Sequence, residues 1–260
     1  NLEYQHMLAS HFQRIGETKK AKEVFQKILQ IDHKSYISGR YSVFSEVGML
    51  PAYFMDLKIN SFRKNLLSFF KSKKNFILYD SIIKLSHIYN LKKIKSIIFL
   101  NYAPQLNEFL YWCQQLLAES LGKEGKGILP VVSPAPRDHH SLLQLYLDGP
   151  KDKLFYIFSL NLNKKMKVKN NIFGKSFRFA KNKELSKVIL SQKKALTKVL
   201  KSKDIPFREF KIEQISEEIL GELFAYFVLE TALVGKSIGI NPFNQPAVEE
   251  VKNLTKKYLI

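Results

Sequence analysis

Four short apolar runs, each followed by a longer stretch with helical spacing, constrain this chain more than any other feature. They are Lys95–Tyr102 (KSIIFLNY), Ile128–Val132, Leu154–Leu160 (LFYIFSL) and Phe207–Ile212. Runs of this length, bounded by polar residues, read as buried strands, and the last alternates as a half-buried strand does. Between the first two, Gln105 to Leu121 places Leu106, Phe109, Leu110, Cys113, Leu116 and Leu117 on one helical face, with Gly122 able to stop it. Further helices are expected over His140–Leu147, Leu185–Lys201 and Glu217–Val234. A turn at Asn241-Pro242-Phe243-Asn244 then leads into a last helix from about Pro246 to Tyr258. Strands alternating with helices imply an α/β fold, a mainly parallel sheet flanked by helices. A fifth strand is expected near Met166–Ile172.

Ahead of the sheet the pattern is helical. Leu8, Ala9, Phe12, Gly16, Ala21, Phe25 and Ile28 fall at spacings that resemble one tetratricopeptide repeat. One repeat cannot bury its own faces. Residues 1–30 are therefore expected to be an N-terminal helical hairpin or the tail of a preceding subdomain, and residues 31–260 the sheet domain with its C-terminal helix. Helices are also expected over 61–70 and 76–90. Pro51 should kink the helix over Ser42–Leu57 or start a new one. Arg40 sits at a helix entry. A guanidinium there can hold an anion, or simply pair with Glu46 or Asp56.

The 260 residues carry a formal net charge of +19. The densest basic patch is Lys164–Lys169, followed by Lys175, Lys181, Lys183, Lys193 and Lys194. No nucleic-acid module signature accompanies it, so a solvated lysine-rich surface or a pocket for a phosphorylated metabolite is expected, with no nucleic-acid partner. Cys113 is the single cysteine. That leaves no internal disulfide and suggests an inert buried thiol in a reducing, cytoplasmic setting. No apolar run reaches the roughly 18 residues that cross a bilayer, so no membrane partner is expected. His139 and His140, adjacent on a helix, diverge, and no metal pair is expected.

The chemistry concentrates between Ala118 and His140. Glu119 closes one helix and His140 opens another after a strand. This layout is expected to bring a proton acceptor and a proton relay to the same edge of the sheet.

Three motifs in order carry a resemblance. They are Tyr36-Ile37-Ser38-Gly39-Arg40-Tyr41-Ser42, then Glu119-Ser120-Leu121-Gly122-Lys123 with His140-Ser141, then Asn244-Gln245-Pro246-Ala247-Val248-Glu249-Glu250-Val251-Lys252. Together, over about residues 31–258, they resemble the glucose-6-phosphate isomerase family, in its C-terminal half. The resemblance implies a sugar-isomerase (SIS-type) fold. It also implies interconversion of glucose 6-phosphate and fructose 6-phosphate through a cis-enediol, with no metal or organic cofactor. Glu119 matches the family's catalytic base. His140 matches the ring-opening histidine, lent across a homodimer interface. Lys252 matches the lysine on the ring-oxygen side, Arg40 the arginine that stabilises the enediolate, and Gln245 the glutamine near the phosphate. A carboxylate enclosed away from water gains basicity, which suits the base.

There are departures from the family pattern. Ser38 stands where a glycine is common, and Ala135-Pro136-Arg137-Asp138-His139 replaces the usual lead into the histidine. Nothing matches the family's Ser/Thr-rich phosphate loop. This polypeptide alone is therefore expected to be inactive, since remote binding energy positions the reacting carbons. A non-catalytic isomerase-like module fused to a helical-repeat adaptor is the alternative reading, and a basic nucleic-acid-binding protein is a second.

Overall fold

The computed structural model describes residues 37–71, 74–161, 166–168 and 180–259, together with Lys19 and Glu23. The expected hairpin over 1–30 and most of the basic patch lie outside the described residues. Four parallel strands form the centre: β1 (Ser96–Asn101), β2 (Leu129–Pro134), β3 (Lys153–Leu160) and β4 (Phe207–Ile212), in the order β2-β1-β3-β4. The helices, in chain order, are α1 (Glu46–Phe54), α2 (Ile59–Arg63), α3 (Ser68–Lys71), α4 (Lys74–Leu91), α5 (Asn107–Leu121), α6 (Arg137–Ser141), α7 (Leu143–Asp148), α8 (Leu185–Ser202), α9 (Glu217–Ser237) and α10 (Pro246–Leu259). Short 3-10 helices occupy Gly39–Phe44 and Pro104–Leu106.

Side chains alternate across the sheet, as the pleat requires. Ile97, Phe99, Tyr156 and Phe158 pack with Leu85, Phe109 and Phe227 from α4, α5 and α9. Ile98, Leu100, Phe155 and Ile157 point the other way, onto Tyr146 of α7 and Leu196 and Leu200 of α8. The inner strand β3 is buried at every position, which explains its unbroken apolar run. The edge strand β4 is less buried and alternates. Cys113 lies in the first cluster, and burial pushes its thiol well up, so it is protonated and inert.

The structure departs from the sequence expectations at several places. Pro51 lies inside α1 without ending it. It is exposed, and water can serve the carbonyl it leaves without a donor. The single helix expected over 61–70 is two, α2 and α3. Here α9 approaches the backbone of α2 so closely that a Cβ on Gly221 would stand 1.8 Å from the Phe62 carbonyl oxygen. The helix expected over His140–Leu147 is also two, broken at Leu142, and His140 falls in α6. Of the fifth strand expected near Met166–Ile172, residues 169–172 lie outside the described residues, and 166–168 contribute one antiparallel bridge, Lys167 to Glu184.

A buried ion pair ties β4 to α9. Arg208 donates to both carboxylate oxygens of Glu230 at 2.7 Å each, and its guanidinium lies 3.6 Å from the Tyr156 ring centroid. The Ser81 and Tyr226 hydroxyls also donate to Glu230. Burial alone would raise the Glu230 pKa. The guanidinium and these donors outweigh it and hold the carboxyl below its ordinary value.

Two outcomes follow from this packing. Gly221→Ala forces α9 off α2 and should cost about 1–3 kcal/mol of stability in urea unfolding. Glu230→Gln should cost about 3 kcal/mol at neutral pH, because it leaves a buried guanidinium unpaired. A carboxyl with a depressed folded pKa contributes stability above the unfolded value, about 4.3, and loses it as pH falls through the folded one. Unfolding measured across that range should therefore show a shallower acid slope in the variant than in the parent.

Candidate functional site

The site is built from the C-terminal end of α5, the loop over 122–128 and the turn between α9 and α10. These enclose a hollow of about 780 Å3 lined by Glu119, Lys123, Lys126, Pro130 and Gln245, among others. The loop doubles back on itself. Gly127 has φ +129°, and a Cβ there would lie 2.9 Å from the Gly122 Cα.

Arg40 lies behind the hollow, 2% exposed. The 3-10 helix that carries it lies along α5. The Trp112 indole N–H donates to the Arg40 carbonyl at 3.1 Å, and the Tyr41 hydroxyl donates to Ser120 Oγ at 3.0 Å. The guanidinium then spans the gap between α5 and the turn. Nε donates to Ser120 Oγ at 2.8 Å. One terminal nitrogen donates to Glu119 Oε2 at 3.2 Å and to Gln245 Oε1. The other donates to the carbonyls of Pro242 at 2.8 Å and Asn244 at 3.0 Å. A guanidinium has five N–H donors, and all five are used. Neither Glu46 nor Asp56, the neighbours expected from sequence, is its partner among these bonds.

Glu119 is also held by Gln115, whose side-chain amide donates to Oε1 at 2.9 Å. Its side chain keeps 25% exposure and lines the hollow. On the far wall, Lys123 donates to the carbonyls of Asn241 and Asn244 and, at 3.0 Å, to Asn244 Oδ1. Its pKa is lowered, first by burial and then by the nearby Arg40 charge, with Glu124 and Glu119 opposing.

Arg40, Glu119 and Gln245 are thus brought together, while Lys252 and His140 are not. Lys252 stands on α10 one turn beyond Val248 at the rim, exposed and donating to Glu249 at 2.8 Å. His140 is exposed on α6. The expectation of a shared sheet edge is overturned by the parallel topology. Glu119 ends the helix that leads down to the start of β2, and His140 follows the end of β2. A six-residue strand, roughly 20 Å long, separates the two levels. Beside His140, the Tyr102 hydroxyl and His139 Nε2 are 2.6 Å apart, and burial lowers the His139 pKa against the opposing charge of Asp138. Among the described residues, no cluster of His, Cys, Asp and Glu could hold a metal ion.

Sequence reasoning gives no role to Ser120, Trp112, Lys123 or Lys126. The glycines at 122, 125 and 127 are the available signal of a tight loop beside Glu119.

No family model matches the chain. Curated relatives do. The chain is 32% identical over 225 residues to a glucose-6-phosphate isomerase of Methanocaldococcus jannaschii, covering 84% of this chain and 55% of the relative. It is 34% identical over 234 residues to a probable glucose-6-phosphate isomerase of Methanococcus maripaludis, covering 86% and 51%. Among solved structures, a hypothetical protein from Thermus thermophilus aligns with TM-score 0.75 at 23% identity, covering 85% of this chain and 55% of that one. A glucose-6-phosphate isomerase from Chlamydia trachomatis aligns with TM-score 0.68 at 17% identity, covering 85% and 47%. These structures share the fold, and the chain spans about half the length of the curated relatives it matches. On those relatives, the chain belongs to the glucose-6-phosphate isomerase family.

Proposed function

We propose that this chain supplies the catalytic carboxylate half of an enzyme that interconverts glucose 6-phosphate and fructose 6-phosphate. The observation that carries the reading is the junction of Arg40, Glu119 and Gln245. They come from segments 79 and 205 residues apart and meet at one hollow. In this reading Glu119 removes the proton from C2 of the opened sugar and returns it to C1. The cis-enediol forms between the two steps, and no cofactor takes part. Arg40 supplies positive charge where the enediolate oxygen develops, an electrostatic role suited to a fixed guanidinium. Gln245 lies toward the phosphate. Lys252 approaches the ring oxygen from α10, which has no buried residue here and is placed only by the turn that precedes it.

The strand between Glu119 and His140 gives this reading a structural requirement. Within one chain they cannot meet, so the His140 that serves a given Glu119 comes from a second copy. This favours a homodimer in which each imidazole works in its neighbour's hollow. The phosphate loop missing from this chain leaves the substrate without its remote anchor, so these 260 residues alone are inactive in this reading. The enzyme would work in the cytoplasm. Among the described residues, no helix is long and apolar enough to cross a membrane.

Two experiments on the full polypeptide that carries these residues test the proposal. Glu119→Gln should abolish exchange of the C2 proton with solvent while sugar-phosphate binding stays within a few-fold. Near-normal exchange in that variant removes Glu119 as the base. Glu119→Gln and His140→Ala proteins, each inactive, should regain turnover when unfolded and refolded together, because the mixed dimer holds one hollow with both groups intact. No recovery would show that the two groups do not serve a shared site.

A further inference from the structure

The segment that delivers Gln245 is pinned at its start by buried Ile238 and Ile240 and by Phe243 against Tyr41, and cations hold its backbone oxygens. It begins where α9 ends, passes Gly239 at φ +73° and turns through Pro242 and Phe243 before α10 starts at Pro246. Lys126 donates to the Ile238 carbonyl at 2.9 Å. Lys123 takes the Asn241 and Asn244 carbonyls and Asn244 Oδ1. Arg40 takes Pro242 and Asn244 from the opposite side. Beyond this turn α10 buries no residue, so side-chain packing does not fix its direction. The direction is inherited from the turn.

We infer that Lys123 is a positioning residue of the active site. It latches the turn to the end of α5, so that Gln245 lies beside Glu119 and α10 leaves on a fixed course. The assignment to an active site rests on the isomerase reading, but the latch itself does not. All three ammonium donors of Lys123 are spent on oxygens of this one turn. Hydrogen bonds from a charged donor are stronger than those between neutral groups. Lys123 lies four positions after Glu119, just past the end of α5, so the same helix end carries both the base and the latch. The pKa of Lys123 is lowered by partial burial and then by the nearby Arg40 charge, both of which act against its ammonium form.

The test uses Lys123→Met, which keeps the stem and removes the donors, and Lys123→Arg, which restores them. In the 260-residue chain, hydrogen–deuterium exchange of the 240–249 amides should accelerate by roughly tenfold or more in Lys123→Met. Amides of β1 and β3 should keep their parent rates, and Lys123→Arg should return the turn to near the parent value. Unchanged exchange at 240–249 overturns the latch, as does equal acceleration in both variants. In the full polypeptide, kcat/KM should fall at least roughly tenfold in Lys123→Met and recover to within about threefold in Lys123→Arg. Turnover unaffected by Lys123→Met overturns the positioning role. Failure of the isomerase reading is a separate result, seen as Glu119→Gln retaining C2 exchange, and it leaves the exchange measurement on the turn standing.

Discussion

The buried guanidinium of Arg40 is the interaction on which the site depends. Its charge is met by one carboxylate and four neutral oxygens, and its acceptors belong to two segments, the end of α5 and the turn before α10. Each unpaired donor of a buried cation carries a desolvation cost, and Arg40 leaves none unpaired. The five-donor fork therefore acts as a template. Sequence segments that reach it with acceptors in place are held there, and the hollow is the space left between them. A lysine could not substitute, since three donors on a flexible stem do not span a helix end and a turn together.

The sheet topology decides how much of an active site one copy can hold. In an all-parallel sheet the crossover helix returns the chain to the starting edge before the next strand begins. α5 does this, and it leaves Glu119 level with the first residues of β2, while β2 carries the chain away to His140. Open α/β folds usually bind ligands at the carboxyl ends of their strands. The hollow here is at the opposite edge, among Ile128, Leu129 and Pro130. An isomerase built on this geometry needs the Glu119 edge of one copy brought against the His140 edge of another, which a symmetric pair of copies can supply twice over.

Local patterning is enough to read the strands. β4 spans the residues that its alternation marks, and the uniform run of β3 reflects a strand covered on both faces. The departures share one cause, that closeness in sequence is not closeness in space. Glu46 and Asp56 stand within a few turns of Arg40, yet its partners lie across the fold. Glu119 and His140 flank one strand, but a strand separates what it connects. The division of residues 61–70 into α2 and α3 is hidden for a similar reason, since the close approach of Gly221 comes from a helix far along the chain. The basic composition is legible as a number, but its use is not. Arg40, Lys123 and Lys126 each place donors on backbone oxygens of the turn before α10, so part of the surplus charge serves the protein's own turn.

In the isomerase reading, the saturation of Arg40 sets a condition on catalysis. With five donors occupied, the guanidinium can stabilise a new oxyanion only by releasing an acceptor it already holds. The Pro242 and Asn244 oxygens belong to the main chain and move only with the whole turn. Ser120 Oγ is fully buried and also accepts from the Tyr41 hydroxyl, and Glu119 is the reacting base itself in this reading. Gln245 is different, being a neutral side-chain amide on the wall of the hollow at the threshold of α10. A negatively charged oxygen makes the stronger bond to a cation than a neutral carbonyl does. Exchange of the Gln245 oxygen for an enediolate oxygen is therefore favourable in the state where charge develops, and less so before it. That difference lowers a barrier instead of merely tightening binding. It also frees the Gln245 side chain at the root of α10, while the main-chain bonds that hold the turn stay in place.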